Sequence, residues 1–247
     1  MNTYRTAAVA NIIGIHPNTV RLYEELGLIP KPERKSNGYR VFTDFHIQQF
    51  KLARLALQVE VLQNGLRKKI LQMVKASATG DFNTALSLTE DYLHQIKQER
   101  SNAEKAIIIV KQILSGGVPE SSHFFKRKEV SEYLGISMDS LRNWEMNGLL
   151  TVKRKQNGYR VYTDADIQRL IIIRSLKCAN YSSEAILQML RQLSENPDTD
   201  IAVILNTPKQ NSEIISVCDR LIVSLSAAED NAYKVLSMLQ DMKDRFL

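Results

Sequence analysis

The chain has 247 residues, 44 % of them apolar and 24 % charged, with 33 Lys and Arg against 27 Asp and Glu for a net charge of +6. These are globular values that exclude wholesale disorder and a fibrous repeat, and no apolar run approaches the roughly 18 residues of a membrane-spanning helix. Two cysteines exclude a disulfide framework and suit a reducing cytoplasm, and Met1-Asn2-Thr3-Tyr4-Arg5 lacks the basic-then-apolar order of a secretory signal.

The chain repeats itself. Positions 9–48 recur at 130–168 with one residue deleted: Val9/Val130, Gly14/Gly135, Arg21/Arg142, Glu24/Glu145 and Gly27/Gly148 before the gap, Arg34/Arg154, Gly38/Gly158, Arg40/Arg160, Thr43/Thr163 and Gln48/Gln168 after it. A period near 120 residues is too long for a solenoid and marks a duplicated domain. The charge follows the repeat. Residues 1–43 carry six Lys and Arg against three Asp and Glu, and residues 124–163 carry eight against four, so the two copies hold +7 and the remainder −1.

In chain order, Thr6 is a candidate N-cap for a helix through Ile13, and Gly14 suits its end. Pro17 then opens a second helix that stops at Gly27, with His16 at its cap position. Two short helices joined by a Gly-containing turn are a helix-turn-helix. A charged loop follows, then Asn37-Gly38 and the alternating strand Tyr39-Arg40-Val41-Phe42, which predict a two-stranded hairpin, or wing. Thr43-Asp44 caps a third helix. The first module is assigned to residues 1–76.

Residues 82–114 predict a long helix with an apolar seam at Leu86, Leu93, Ile96, Ala103, Ile107, Val110 and Leu114, interrupted by Thr89 and Arg100. Residues 115–123 are a flexible polar linker. The second module, 124–194, repeats the first, with Ser137 as cap, a helix over 138–147 and Thr163-Asp164 before the third helix. Ile70-Leu71-Gln72-Met73 matches Ile186-Leu187-Gln188-Met189 at a smaller offset, implying four extra residues near Asn64-Gly65 in the first copy. Residues 212–246 carry two clean heptad series: Cys218, Leu225, Ala232, Leu239, Phe246, and Ile214, Leu221, Ala228, Val235, Met242. The fold class expected is mostly α: two winged helix-turn-helix modules, each with a small β-hairpin wing, and two long coiled-coil helices that pair antiparallel.

The residues Gly14-Ile15, Thr19-Val20-Arg21-Leu22-Tyr23-Glu24, Gly27-Leu28-Ile29 and Asn37-Gly38-Tyr39-Arg40-Val41-Phe42-Thr43 together form a specific pattern. Gly135-Ile136-Ser137, Leu141-Arg142-Asn143-Trp144-Glu145, Gly148-Leu149-Leu150 and Asn157-Gly158-Tyr159-Arg160-Val161-Tyr162-Thr163 repeat it. This pattern resembles the mercury-resistance-regulator (MerR) family of bacterial transcription regulators. The resemblance implies that the second helix enters the major groove, that the wing grips phosphate, and that the long helix pairs antiparallel with that of another subunit. Asn180-Tyr181-Ser182-Ser183 looks like the turn into that family's fourth helix. One departure concerns the aromatic that the family places directly after the recognition-helix Arg: here those positions are Leu22 and Asn143.

The residues expected to contact DNA are Arg5, Asn18, Thr19, Arg21, Lys35, Tyr39 and Arg40 in the first module. In the second they are Arg127, Asp139, Ser140, Arg142, Asn143, Lys155, Tyr159 and Arg160. Arginine binds phosphate or reads guanine bidentately. The rival reading pairs Arg21 and Arg142 with Glu24 and Glu145 three residues on, and leaves Lys35 and Lys155 solvated. Tyr23 and Trp144 read as core anchors, and Cys178 and Cys218 as buried apolar residues, since a soft-metal site needs two closely placed thiolates.

Double-stranded DNA is therefore the expected partner, and the resemblance admits RNA polymerase as a second. The chain supplies two modules and two long helices, so a single-chain pseudo-dimer is expected, with a homodimer of four modules as its rival. The function expected is sequence-specific transcription regulation in the cytoplasm; the alternative is an architectural or recombination-assisting DNA binder. No enzyme activity, cofactor, metal or membrane partner is expected, because no phosphate-binding Gly-rich loop, ligand cluster or nucleophile–base pair is present. With the second long helix ending near Leu247, no terminal effector domain is expected, and any small-molecule effector is unknown.

Overall fold

The computed structural model describes residues 2–59, 63–115, 123–154, 158–194 and 212–246. They divide into two units. The first takes residues 1–97 and 224–247, the second residues 98–223.

The first unit begins with strand β1 (Thr3–Tyr4), helices α1 (Thr6–Ile13) and α2 (Pro17–Glu25), strands β2 (Glu33–Arg34) and β3 (Arg40–Thr43), and helices α3 (Asp44–Ala56) and α4 (Leu66–Ala78). The cap expected at Thr6 is instead the backbone of Arg5, which holds the extended conformation (φ −90°, ψ 162°), so that Thr6 is already helical. Gly14 ends α1 at φ +70°, a conformation that a Cβ would strain. The wing is a three-stranded antiparallel sheet of order β1-β3-β2, with Tyr4 opposite Phe42 and Arg34 opposite Arg40. The hairpin expected is therefore extended by β1, whose two residues are too few to show alternation. Val9, Ala10, Val20, Ile29, Phe42, Ile47 and Phe50 form the core beneath it, and Tyr23 stacks on Phe50 with ring centres 5.3 Å apart.

Buried Gln49 joins three elements. Its Nε2 donates to the carbonyls of Leu28 (3.0 Å) and Val74 (2.9 Å), and its Oε1 accepts from the Ser77 hydroxyl at 2.7 Å. The extra residues of the first copy fall in the α3–α4 connection, where Asn64 and Gly65 both take positive φ and Gly65 precedes α4. The Asn64 carbonyl accepts from Gln95 of helix α5 (Phe82–Leu114).

The second unit repeats the order with β4 (Phe124–Phe125), α6 (Arg127–Leu134), α7 (Met138–Met146), β5 (Lys153–Arg154), β6 (Arg160–Thr163), α8 (Asp164–Cys178) and α9 (Ser183–Ser194). Its sheet has the order β4-β6-β5, with the same register. The last helix is α10 (Ser212–Phe246). The linker residues 116–122, together with Asp198-Thr199-Asp200, lie outside the described residues.

Helices α5 and α10 pair antiparallel. In the first unit Lys243 reaches Asn83 (2.9 Å), while Lys97 reaches Tyr233 (3.0 Å) and Glu229 (3.8 Å). In the second unit Ala106, Ile109 and Val110 share one core with Ile214, Val217 and Cys218. Both heptad series of α10 are buried from Ile214 to Met242 as expected. The seam expected on α5 is buried at Leu93, Ile96, Ala103 and Val110 and corrected elsewhere: Phe82, Ala85, Thr89, Tyr92, Glu99 and Ala106 are buried too, whereas Leu86, Ile107 and Leu114 are only half-buried. Thr89 sits on the seam by bonding its hydroxyl to the Ala85 carbonyl, and Glu99 by pairing with Arg174.

Candidate nucleic-acid interface

Each helix-turn-helix presents its second helix to solvent. The start of α2 is fixed by His16, whose Nδ1 accepts from the Asn18 N–H at 3.2 Å, with Pro17 in the first turn. Ser137 does the same for α7, its Oγ accepting from the Ser140 N–H at 3.0 Å. Beyond the caps the outer faces carry Asn18, Arg21 and Leu22 on α2, and Asp139, Arg142 and Asn143 on α7, all exposed. Arg21 does not pair with Glu24; it donates to the Asn18 side chain at 3.3 Å. Arg142 makes no side-chain hydrogen bond or ion pair among the described residues. Thr19 and Ser140 are half-buried, and the Ser140 hydroxyl lies 2.9 Å from that of Ser137. Tyr23 and Trp144 face inward, Trp144 in the core and Tyr23 against it.

The two glutamates serve the wing. Arg40 donates to Glu24 at 2.5 Å, with Arg34 3.8 Å from the same carboxylate. Arg160 lies 2.6 Å from Glu145, which also accepts from the Tyr162 hydroxyl at 2.6 Å. Burial, and then the Glu145 carboxylate, push the Tyr162 phenol well above its ordinary range. Each wing is thus tied to the far end of its recognition helix, and Arg40 and Arg160 spend part of their donor capacity inside the module.

A cationic groove lies on the other side of each wing. In the first module, Arg5, Lys35, Asn37, Tyr39 and Arg40 line a groove of about 270 Å³. In the second, Lys126, Arg127, Lys128, Met138, Tyr159 and Arg160 line one of about 680 Å³. Tyr39 and Tyr159 stand out at 68 % and 73 % exposure, as wing-tip rather than core residues. Arg127 is half-buried and donates to the Met138 carbonyl, holding the start of α7. Lys155 lies outside the described residues.

Residue-by-residue reading missed Lys126 and Lys128, although the repeat offset that matches Val9 with Val130 already places Lys126 opposite Arg5. Elsewhere, both cysteines are buried thiols, and burial, then Asp219, push the Cys218 thiol up to about 12. No helix among the described residues is long and apolar enough to cross a membrane.

Comparison with known proteins agrees with this geometry. Residues 5–42 match the family described as MerR family regulatory protein, and residues 125–193 the one described as MerR HTH family regulatory protein. The HTH-type transcriptional regulator CueR of Escherichia coli O157:H7 is 45 % identical over 51 residues, which cover 21 % of this chain and 38 % of that protein. The mercuric resistance operon regulatory protein of Bacillus cereus is 45 % identical over 40 residues, 16 % of this chain and 30 % of its own length. The HTH-type transcriptional activator mta of Bacillus subtilis is 28 % identical over 129 residues, 49 % of each chain. The chain thus spans half or less of the length of these three relatives. No solved structure matches. The duplicated pattern, the two matched segments and the two winged modules show that this chain carries two MerR-type helix-turn-helix domains in tandem.

Proposed function

We propose that this chain is a sequence-specific DNA-binding transcription regulator that sets both recognition helices and both wings on one pseudo-symmetric operator. The observation that carries this reading is the recurrence, in each unit, of an exposed arginine-bearing helix beside a cationic groove. Arg21 and Arg142 reach base edges or phosphate from the helix faces. Arg5, Lys35 and Tyr39, and Lys126, Arg127 and Tyr159, hold flanking phosphates from the grooves. Arg40 and Arg160 fix the angle of the wing and lend their remaining donors to phosphate.

The two outer faces differ. Asn18 corresponds to Asp139 and Leu22 to Asn143. Asn matches adenine, a carboxylate accepts from the cytosine amino group, and an apolar side chain meets the thymine methyl, so the operator is an imperfect palindrome. Each unit combines one module with segments of both long helices, which supports a chain that supplies its own pairing partner. The names of the relatives, transcriptional regulator and transcriptional activator, support a role in transcription; RNA polymerase as the second partner and the cytoplasm as the compartment belong to the same proposal.

A mobility-shift titration on selected genomic fragments tests the reading. Affinity is expected to fall steeply between about 50 and 300 mM salt through counterion release. Arg21→Ala and Arg142→Ala are each expected to weaken binding about tenfold or more. A salt-insensitive shift, or unchanged affinity in the double variant, overturns it. Bound fragments lying away from promoters would favour an architectural role instead.

A further inference from the structure

We infer that Glu99 and Arg174 form a positioning clamp that fixes the α6–α7 turn of the second reading head onto α5, and that the first head has no counterpart. Glu99 occupies a seam position of α5 and Arg174 a buried position of α8, at 1 % and 5 % exposure. The guanidinium meets the carboxylate with two prongs, Nη2 to Oε1 at 2.7 Å and Nε to Oε2 at 3.3 Å. The same guanidinium lies beside the turn between α6 and α7, in the space a side chain at Gly135 would need: a Cβ there would lie 3.3 Å from Nη1. One planar group therefore binds the long helix and lies against the joint that aims the recognition helix. A lysine, a single point charge, cannot span the two in this way.

The equivalent positions of the first unit lack this link. Arg54 corresponds to Arg174 and Gly14 to Gly135. Arg54 is exposed and makes no side-chain hydrogen bond or ion pair among the described residues. Nothing lies within 4 Å of a Cβ at Gly14. The buried seam positions that α10 contributes to that unit are Leu225, Ala228, Ala232, Val235, Leu239 and Met242, with no carboxylate among them. A shift of α5 consequently carries the second turn with it through a bidentate ion pair, while the first turn has no such attachment among the described residues.

The functional arm of this inference rests on the DNA reading above; the structural arm does not. The test is amide hydrogen exchange on the full chain, comparing residues 134–138 with residues 13–17, in Glu99→Gln, in Glu99→Met/Arg174→Met and in Arg54→Gln. Glu99→Gln is expected to speed exchange at 134–138 about tenfold and to leave 13–17 unchanged. Arg54→Gln is expected to change neither. The apolar double variant removes the buried charges, so it is expected to keep its melting temperature while the second turn stays loosened. Protection at 134–138 equal to wild type in that double variant, or an equal rise at both turns in Glu99→Gln, overturns the clamp. On an operator, Glu99→Gln is expected to lose footprint over the half-site that Arg142→Ala uncovers and to keep the half-site that Arg21→Ala uncovers; symmetric loss overturns it. Failure of the wild-type chain to bind any DNA would sink the reading of function and leave the exchange result to decide the clamp.

Discussion

The two modules share their glycine turns and much of their apolar frame, yet differ at nearly every polar joint. Gln49 and Arg169 occupy equivalent places on α3 and α8, and both donate to the carbonyl that closes the recognition-helix turn, Leu28 in one copy and Leu149 in the other. Glu24 gathers two arginines, whereas Glu145 gathers one arginine and the Tyr162 hydroxyl. His46 closes the cap of α3 by accepting from the Thr43 N–H at 3.0 Å, where Asp166 accepts from Thr163 at 2.8 Å. What the architecture requires at each joint is a donor or acceptor at a given point, because a buried carbonyl or N–H left unpaired costs more than the identity of its partner gains.

Removing these joints one at a time should expose the difference between the copies. The largest effect is expected for Glu145→Ala, which leaves Arg160 and a fully buried hydroxyl unpaired, at about 3 kcal/mol. Glu24→Ala strands Arg34 and Arg40, at 50 % and 21 % side-chain exposure, but no buried hydroxyl, and is expected to cost about 2 kcal/mol. In a Tyr162→Phe background the two should converge, and urea denaturation of the four variants measures the convergence. Next comes Gln49→Leu, at about 2 kcal/mol, since two carbonyls and the Ser77 hydroxyl lose their partner. Arg169→Leu removes one bond from a half-buried site and is expected to cost about 1 kcal/mol.

A third contrast concerns acid. Burial, partly opposed by the Pro30 carbonyl and Glu24, holds His46 below its ordinary histidine value. Its folded state therefore disfavours the proton that the unfolded chain takes up. The stability this gives is complete above the unfolded value of about 6.5 and is lost as pH falls through the folded one, at no more than about 1.4 kcal/mol per pH unit. His46→Asp installs the acceptor of the second copy, and pH-dependent melting should then lose this component. The smallest perturbation is a thiol reagent. Cys178 and Cys218 are buried and both belong to the second unit, so labelling at pH 8 is expected only on opening of that unit, and its rate reports on that unit alone.

Much of this was legible because it rests on local signals. Gly14, Gly27 and their copies mark helix ends, Asn37-Gly38 marks the wing, and the α10 heptads are apolar throughout. The polar members of the α5 seam were not legible, because Thr89 and Glu99 look unfit for a buried stripe until a backbone carbonyl and an arginine 75 positions away are seen to satisfy them. For the same reason Glu24 and Glu145 suggested partners on their own helices, when the wing arginines 15 or 16 positions on reach them through the fold. Strand β1 escaped notice because two residues carry no period. The grooves needed the folded wing to bring Arg5 beside Lys35 and Tyr39.

The central claim is that one chain carries both reading heads of one operator. Sedimentation of the protein with a single duplex bearing the selected site measures this most directly. The account predicts one 28.2 kDa chain per duplex, with Arg21→Ala and Arg142→Ala each uncovering a different half of the footprint. Two chains per duplex, or a footprint untouched by one of the two substitutions, would contradict it.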